Sequence, residues 1–294
     1  MPAARFRAAV ALRPRKSSTR SRLPVPVSEP PRADIGVFGG SGFYSLLPDV
    51  QEVKLSTPYG APSDSVFLSE IEGKRVAFLP RHGRSHTLPP HVVNYRANVW
   101  AMHELGVRYL ISPCAVGSLQ TRIAPEHFVV CDQYVDRTRA RKDTFYDGPR
   151  VVHVSSALPY CPHLRRLAID AIRDQGIEVH ESGTMVVIQG PRFCTSAESR
   201  WYTQQGWDVI GMTQYPEAHL ALELAIAVVN ISLVTDYDSG LVAEGSVPPV
   251  TQAEVFSVFA RNAERIKSVV IDLVRRIPLD QDSPCHHSLD GIGE

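Results

Sequence analysis

Residues 225–238 read AIAVVNISLVTDYD, an apolar run that grows rich in β-branched residues and stops at two aspartates separated by one tyrosine. Such a run reads as a buried strand of a mostly parallel sheet, its first residues belonging either to the strand or to a preceding helix. Ligands of open α/β sheets sit beyond the carboxyl ends of the strands, which puts Asp236 and Asp238 at the mouth of a site. Alternation along a strand turns Tyr237 the other way. Two neighbouring carboxylates raise one another's pKa, so one of them can hold a proton near neutrality. The competing reading is a strand end closed by turn-forming aspartates.

Upstream of this run, apolar segments and amphipathic segments alternate. Residues 34–38 form a strand that runs into Gly39-Gly40-Ser41-Gly42. A glycine turn after a strand brings backbone N–H groups close to an anion, with the Ser41 hydroxyl as a further donor, although GGSG is equally an ordinary turn. Its spacing is neither G-x-G-x-x-G nor a P-loop. Strands at 66–68 and 75–79 follow, the second leading into RHGRSH at 81–86, where Arg81 is placed for bidentate recognition of phosphate or carboxylate. A helix is expected at 92–105, with Asn94, Asn98 and Trp100 as packing residues. Further strands are expected at 108–113, leading into Cys114-Ala115-Val116-Gly117-Ser118, and at 128–134, 185–188 and 208–212. Helices are expected at 163–175, 196–205, 217–228 and 255–276, the last with Val258, Ala263, Ile266, Val270 and Leu273 facing inward. This alternation implies one α/β domain over 34–277.

The ends stand apart. Residues 1–33 mix arginines with proline and serine and cannot bury a core. They read as a disordered basic extension or an over-extended start, with a transit peptide as the alternative. Residues 278–294 read as a flexible tail.

Lys plus Arg and Asp plus Glu number 31 each, so no basic excess points to nucleic acid. No apolar run is long enough for a membrane span. Five scattered cysteines, at 114, 131, 161, 194 and 285, form no ligand cluster and argue for reduced cytosolic thiols without a structural metal. A soluble, cytoplasmic protein is the expectation. A thiol hydrolase built on Cys194 or Cys114 lacks a sequence-evident base.

The order GGSG, STPYGAPSD (56–64), RHGRSH, NYRANVWA, GSL, DQYVDRT, FYDG, GTMVVIQGPRF, MT-x-x-PEA and TDYD resembles the purine nucleoside phosphorylase family, and its methylthioadenosine phosphorylase branch in particular. The resemblance implies a three-layer α/β/α fold with a mixed, largely parallel central sheet. It also implies a homotrimer with sites near subunit boundaries, and inorganic phosphate as co-substrate with no metal or organic cofactor. It places Ser41, Arg81, His82, Cys114, the Ala115 N–H and Thr213 around the phosphate. Phe193 packs on the purine and Met212 lies beneath the ribose. Cys194, Asp236, Tyr237 and Asp238 lie at the base, His153 reaches a neighbour's site, and Val250 lines the 5′-substituent pocket. Members of the branch commonly carry threonine where this chain has Cys114, and a thiol is the weaker donor.

Cleaving an N-glycosidic bond builds positive charge on the ribose and negative charge on the leaving purine. A fixed phosphate stabilises the first, and a proton at N7, from Asp236, stabilises the second. Asp238 accepts from a 6-amino group. Relatives specific for 6-oxopurines carry Asn in place of Asp236 and Glu in place of Cys194, so adenine-type bases are favoured. The expected reaction is phosphorolysis of 5′-methylthioadenosine to adenine and 5-methylthioribose 1-phosphate. The alternatives are a broader purine nucleoside phosphorylase acting on adenosine or inosine, a hydrolytic nucleosidase, and a nucleotide- or RNA-binding protein without catalysis.

Overall fold

In the computed structural model, which describes residues 31–39, 49–239, 241 and 251–291, the run that decided the fold is β11 (Ala227–Tyr237). It lies parallel to β5 (Tyr109–Ser118) along nearly its whole length. On the opposite edge of β5 its first residues pair with β1 (Ile35–Gly39), Ile35 against Tyr109 and Val37 against Ile111. Beyond β1 come β4 (Lys74–Pro80), β3 (Val66–Ile71) and β2 (Gln51–Val53).

The far end of β5 takes a different neighbour on that edge. Ser118 and Gly117 pair antiparallel with β10 (Val209–Gly211), followed by β9 (Thr184–Ile188) and β7 (Gln133–Arg137). Between the two pairings, residues 112–116 have ladder partners only in β11. The sheet therefore splits along β5, and the gap between the ends of β1 and β10 is the crevice where α/β sheets hold ligands. A short arm, β6 (Phe128–Val129) and β8 (Val179–His180), continues beyond β11. Parallel pairs outnumber antiparallel ones, as expected of this fold class.

Strand alternation sorts the core onto two faces. Ile35, Val37, Phe78, Val229 and Ile231 pack with α2 (Pro162–Arg173) and α5 (Gln252–Arg276). Phe38, Leu79, Leu110 and Val228 pack with α1 (Tyr95–Glu104) and α4 (Gln214–Leu222). The three-layer expectation holds. A smaller cluster joins Tyr202 of α3 (Ser196–Gln204) to Val186, Ile188 and Ile210. Caps fix the helix ends: Asn94 accepts from Ala97 N–H at α1, and Thr195–Glu198 and Thr251–Glu254 form capping boxes. Lys74 Nζ donates to the carbonyls of Val274, Arg275 and Ile277, closing α5.

Several boundaries differ from the sequence reading. The strand expected to stop at Pro113 runs on through Ser118. Pro113 is tolerated because its carbonyl faces the open edge, where Arg81 donates to it at 3.1 Å, so its missing N–H removes no ladder bond. The strand expected at 128–134 is two pieces in different arms, β6 on β11 and β7 on β9. The helix expected at 217–228 closes at Leu222 through Ile226 N–H to Ala221 O and Ala225 N–H to Leu222 O, with Ala225 at φ 53°. Within the segment expected as a flexible tail, Pro284–His287 forms a 3-10 turn that buries Cys285, and Tyr109 Oη donates to the carbonyls of Pro278 and Gln281. Of the basic extension, residues 1–30 lie outside the described residues. No helix among the described residues is long and apolar enough to cross a membrane.

Candidate active site

The crevice opens into a cavity of about 600 Å³ lined from the ends of β1, β4, β5, β9, β10 and β11 and from the first turns of α5. Arg81, His82, Cys114, Ala115, Phe193, Cys194, Met212, Thr213, Asp236 and Asp238 all line it. Tyr237 and His153 do not. Tyr237 is turned away by strand alternation, and His153 lies exposed in the loop before α2. Ser41 and Val250 lie outside the described residues.

On one side stand the basic groups. Arg81 is 4% exposed and already has a bidentate partner: Nε donates to Glu217 Oε2 at 2.7 Å and Nη2 to Oε1 at 2.9 Å. Nη2 also donates to Ser112 Oγ and Nη1 to Pro113 O, leaving one of the five guanidinium hydrogens, on Nη1, for the cavity. Burial opposes its charge, and the Glu217 carboxylate more than offsets that, so its pKa is raised. Of the two bidentate partners expected for Arg81, phosphate or carboxylate, the structure supplies a carboxylate of its own. Glu217, 1% exposed, takes the guanidinium fork, and Ser112 Oγ donates to it as well.

His82 lines the cavity as a neutral ring. Nδ1 faces Leu88 O at 2.8 Å and must donate to it, so the neutral ring offers an unprotonated Nε2. Burial and the neighbouring Arg81 push its pKa down to about 4. Cys114 Sγ receives Asn230 Nδ2–H at 3.3 Å. The Ser232 hydroxyl hydrogen goes to Asn230 Oδ1, so the contact of 3.6 Å between Cys114 and Ser232 is thiol to hydroxyl. The thiol hydrogen is thus turned into the protein, and burial raises the pKa. Ala115 follows Pro113 by two, so its N–H faces the open edge. Thr213, the N-cap of α4, makes no side-chain cap bond.

On the other side stand the acids. The ladder shifts register between Val234 and Asp236, opposite Gly117, so the bulge turns Thr235 and Asp236 both toward the cavity. Gly117 leaves the room here: a Cβ would sit 3.0 Å from Asp236 Oδ1, tighter than an ordinary contact. Burial pushes the Asp236 pKa up to about 6 against a bond from Thr235 Oγ1 at 2.7 Å, and the Asp238 charge adds to the rise. Asp238 is 3% exposed, its N–H donates to Ser118 O, and its Oδ2 accepts from the Cys194 thiol at 2.7 Å. Burial and Asp238 push Cys194 up to about 12, which keeps it a thiol and removes it as a nucleophile.

Between the two sides, Met212 forms a floor at Gly190, where φ is 61° and a Cβ would meet Met212 Sδ at 2.6 Å. Val255, Phe256 and Phe259 of α5 make an apolar wall, and the His86 ring meets Phe256 edge-on at 5.3 Å. Glu217, Ser112, Thr235, His86 and this wall were missed by sequence reasoning. The PEA motif marked Glu217, and the VFSVF run at the start of α5 marked the wall. Among the described residues no group of three His, Cys, Asp or Glu side chains could hold a metal ion.

A model of the phosphorylase superfamily matches residues 34–275. A purine nucleoside phosphorylase of Streptomyces coelicolor is 52% identical over 271 residues, covering 89% of this chain and 96% of that one. An S-methyl-5′-thioadenosine phosphorylase of Thermofilum pendens is 51% identical over 261 residues, covering 88% and 98%. The crystal structure of a methylthioadenosine phosphorylase from an antarctic soil metagenomic library matches with a TM-score of 0.83 at 42% identity, covering 89% of this chain and 92% of that one.

Proposed function

This chain belongs to the phosphorylase superfamily, and we propose that it cleaves 5′-methylthioadenosine with inorganic phosphate, releasing adenine and 5-methylthioribose 1-phosphate. The observation that carries the reading is one cavity in which Asp236, its pKa pushed up to about 6 by burial, faces an edge of anion donors. The C1′–N9 bond breaks as phosphate oxygen bonds to C1′, and the electron pair left on the purine is met by a proton from Asp236 at N7. The anion is held by the free Arg81 Nη1–H, the Ala115 N–H and the Thr213 hydroxyl, with Ser41 from the first loop.

Among the described residues only Cys194 holds an oxygen of Asp238, and an open carboxylate oxygen selects a 6-amino donor over a 6-oxo acceptor. Phe193 packs on the base, and Met212 lies beneath the ribose. The wall of Val255, Phe256 and Phe259 suits an apolar 5′-substituent better than a hydroxyl. The reaction takes place in the cytoplasm without metal or organic cofactor, in a homotrimer in which His153 reaches a neighbour's site. Light scattering at three times 32.5 kDa tests that assembly.

The name of the Streptomyces relative supports a second reading, a broader purine nucleoside phosphorylase. Initial rates with methylthioadenosine, adenosine and inosine, each with and without phosphate and with products separated, decide between them. Phosphate-dependent adenine release fastest from methylthioadenosine is the expected result. Preference for inosine selects the second reading, and base release without phosphate overturns both.

A further inference from the structure

Arg141 lies in the loop after β7, outside the cavity lining, and among the described residues its guanidinium is bound by neutral oxygens only. Nη2 donates to Gln189 O at 3.0 Å, Met212 O at 2.9 Å and, more weakly, Ile188 O at 3.4 Å. Nη1 donates to Tyr215 O and to Tyr95 Oη, and the guanidinium stacks 5.1 Å from the Tyr95 ring centre. Among the described residues its Nε is buried without a partner, and none of its hydrogen bonds goes to a carboxylate.

The four carbonyls belong to two chain segments, the end of β9 and the start of α4. These are the segments whose side chains Ile188 and Met212 line the cavity, and Thr213 is one peptide further on. Unbridged, carbonyl dipoles converging on one point repel one another, and burying them without donors is costly. A planar fork with donors on both terminal nitrogens can bridge two segments at once; an ammonium on a single point cannot reach both.

We infer that Arg141 is a positioning residue for the nucleoside: by tying the carbonyls of Ile188 and Gln189 to those of Met212 and Tyr215, it sets the distance between the base wall and the ribose floor. The inference rests on the phosphorolysis reading above. It separates Arg141 from the Arg81 and Ala115 donors to phosphate, which lie on the β4–β5 side of the cavity; of the phosphate donors named above, Thr213 alone belongs to a segment that Arg141 ties.

The test is steady-state phosphorolysis by Arg141→Ala and Arg141→Lys, with and without millimolar guanidinium, far below denaturing concentrations. Loss of charge-assisted bonds should raise the nucleoside KM about ten- to a hundredfold in both variants. The phosphate KM should rise much less, by at most about the tenfold of one ordinary hydrogen bond, since Thr213 is the one phosphate donor on a segment that Arg141 ties. Guanidinium should lower the nucleoside KM of Arg141→Ala, and methylammonium should not. Should Arg141→Ala not accumulate as folded protein, Arg141→Lys carries the same comparison of the two KM values. Full activity in Arg141→Lys, equal rises in both KM values, or no rescue of a folded Arg141→Ala by guanidinium overturns the inference. Wild-type protein that releases no base with phosphate removes the functional reading instead, and adenine binding followed by calorimetry then still reads the effect of Arg141.

Discussion

The two sides of the cavity are built from basic and from acidic residues and are organised in opposite ways. The basic side looks rich in sequence, yet most of its donors point into the protein: Arg81 is held by Glu217, His82 is neutral, and the Cys114 thiol faces Ser232. The acidic side looks like a plain turn, yet Asp236 carries an elevated pKa with, among the described residues, one side-chain hydrogen bond, from Thr235. The binding capacity of a site is set by the donors and acceptors left over after folding, and residue type does not reveal those.

The sharpest way to break this contrast is to empty the basic side's support. Glu217→Ala leaves Arg81 buried without its partner, and removing one member of a buried pair costs about 3–5 kcal/mol. For a domain of this size that lowers Tm by roughly 6–20 °C. Calorimetry showing a shift below about 2 °C would mean that Glu217 is not what holds Arg81.

His82 gives a pH signature. Its pKa is depressed from 6.5 to about 4, so the fold favours the neutral ring. Its contribution is present above pH 6.5 and is lost as pH falls toward 4. Between pH 7 and 4.5, wild-type stability to urea should drop about 2 kcal/mol more than that of His82→Gln. Equal drops contradict a neutral His82.

The acidic side has the reverse sign. Asp236 is raised from 3.8 to about 6, so its protonated form is the one the fold favours, and that preference is lost as pH rises through 6. As the acid at N7, it predicts kcat/KM falling toward tenfold per pH unit above about 6. Asp236→Asn should lack that limb, and the same limb in the variant would assign it to another group.

The smallest expected effect is at Cys114. Its thiol hydrogen is engaged by Ser232, so Cys114→Ala should change the phosphate KM by no more than about threefold, less than one ordinary hydrogen bond. A tenfold rise would place the thiol on the anion.

The layered fold was legible because strand alternation and helix periodicity survive in the sequence: Ile35 and Val37 face one helix layer, Phe38 the other. The continuation of β5 was not, because Pro113 and Gly117 normally end strands and are accommodated here by an open edge. Cys285 in the last segment is buried by contacts that no local pattern encodes. At the site, the lining residues at strand ends were readable from order and spacing. Thr235 was hidden by a bulge and Glu217 by the rule that helical acids face water. Tyr237 follows strand alternation away from the cavity, and His153 lies exposed in the loop before α2, outside the cavity lining.

The measurement that bears most directly on the account is the kcat/KM ratio of adenosine to inosine in Asp236→Asn compared with wild type. Asparagine removes the proton donor for N7 and supplies an amide that can donate to both N7 and a 6-oxo oxygen. Activity on adenosine should fall by roughly a hundredfold, as on loss of a general acid, while inosine is affected less or gains. The ratio should therefore drop by about two orders of magnitude. An unchanged ratio, or full activity on methylthioadenosine, would show that the aspartates ending β11 close a turn and do not read the base.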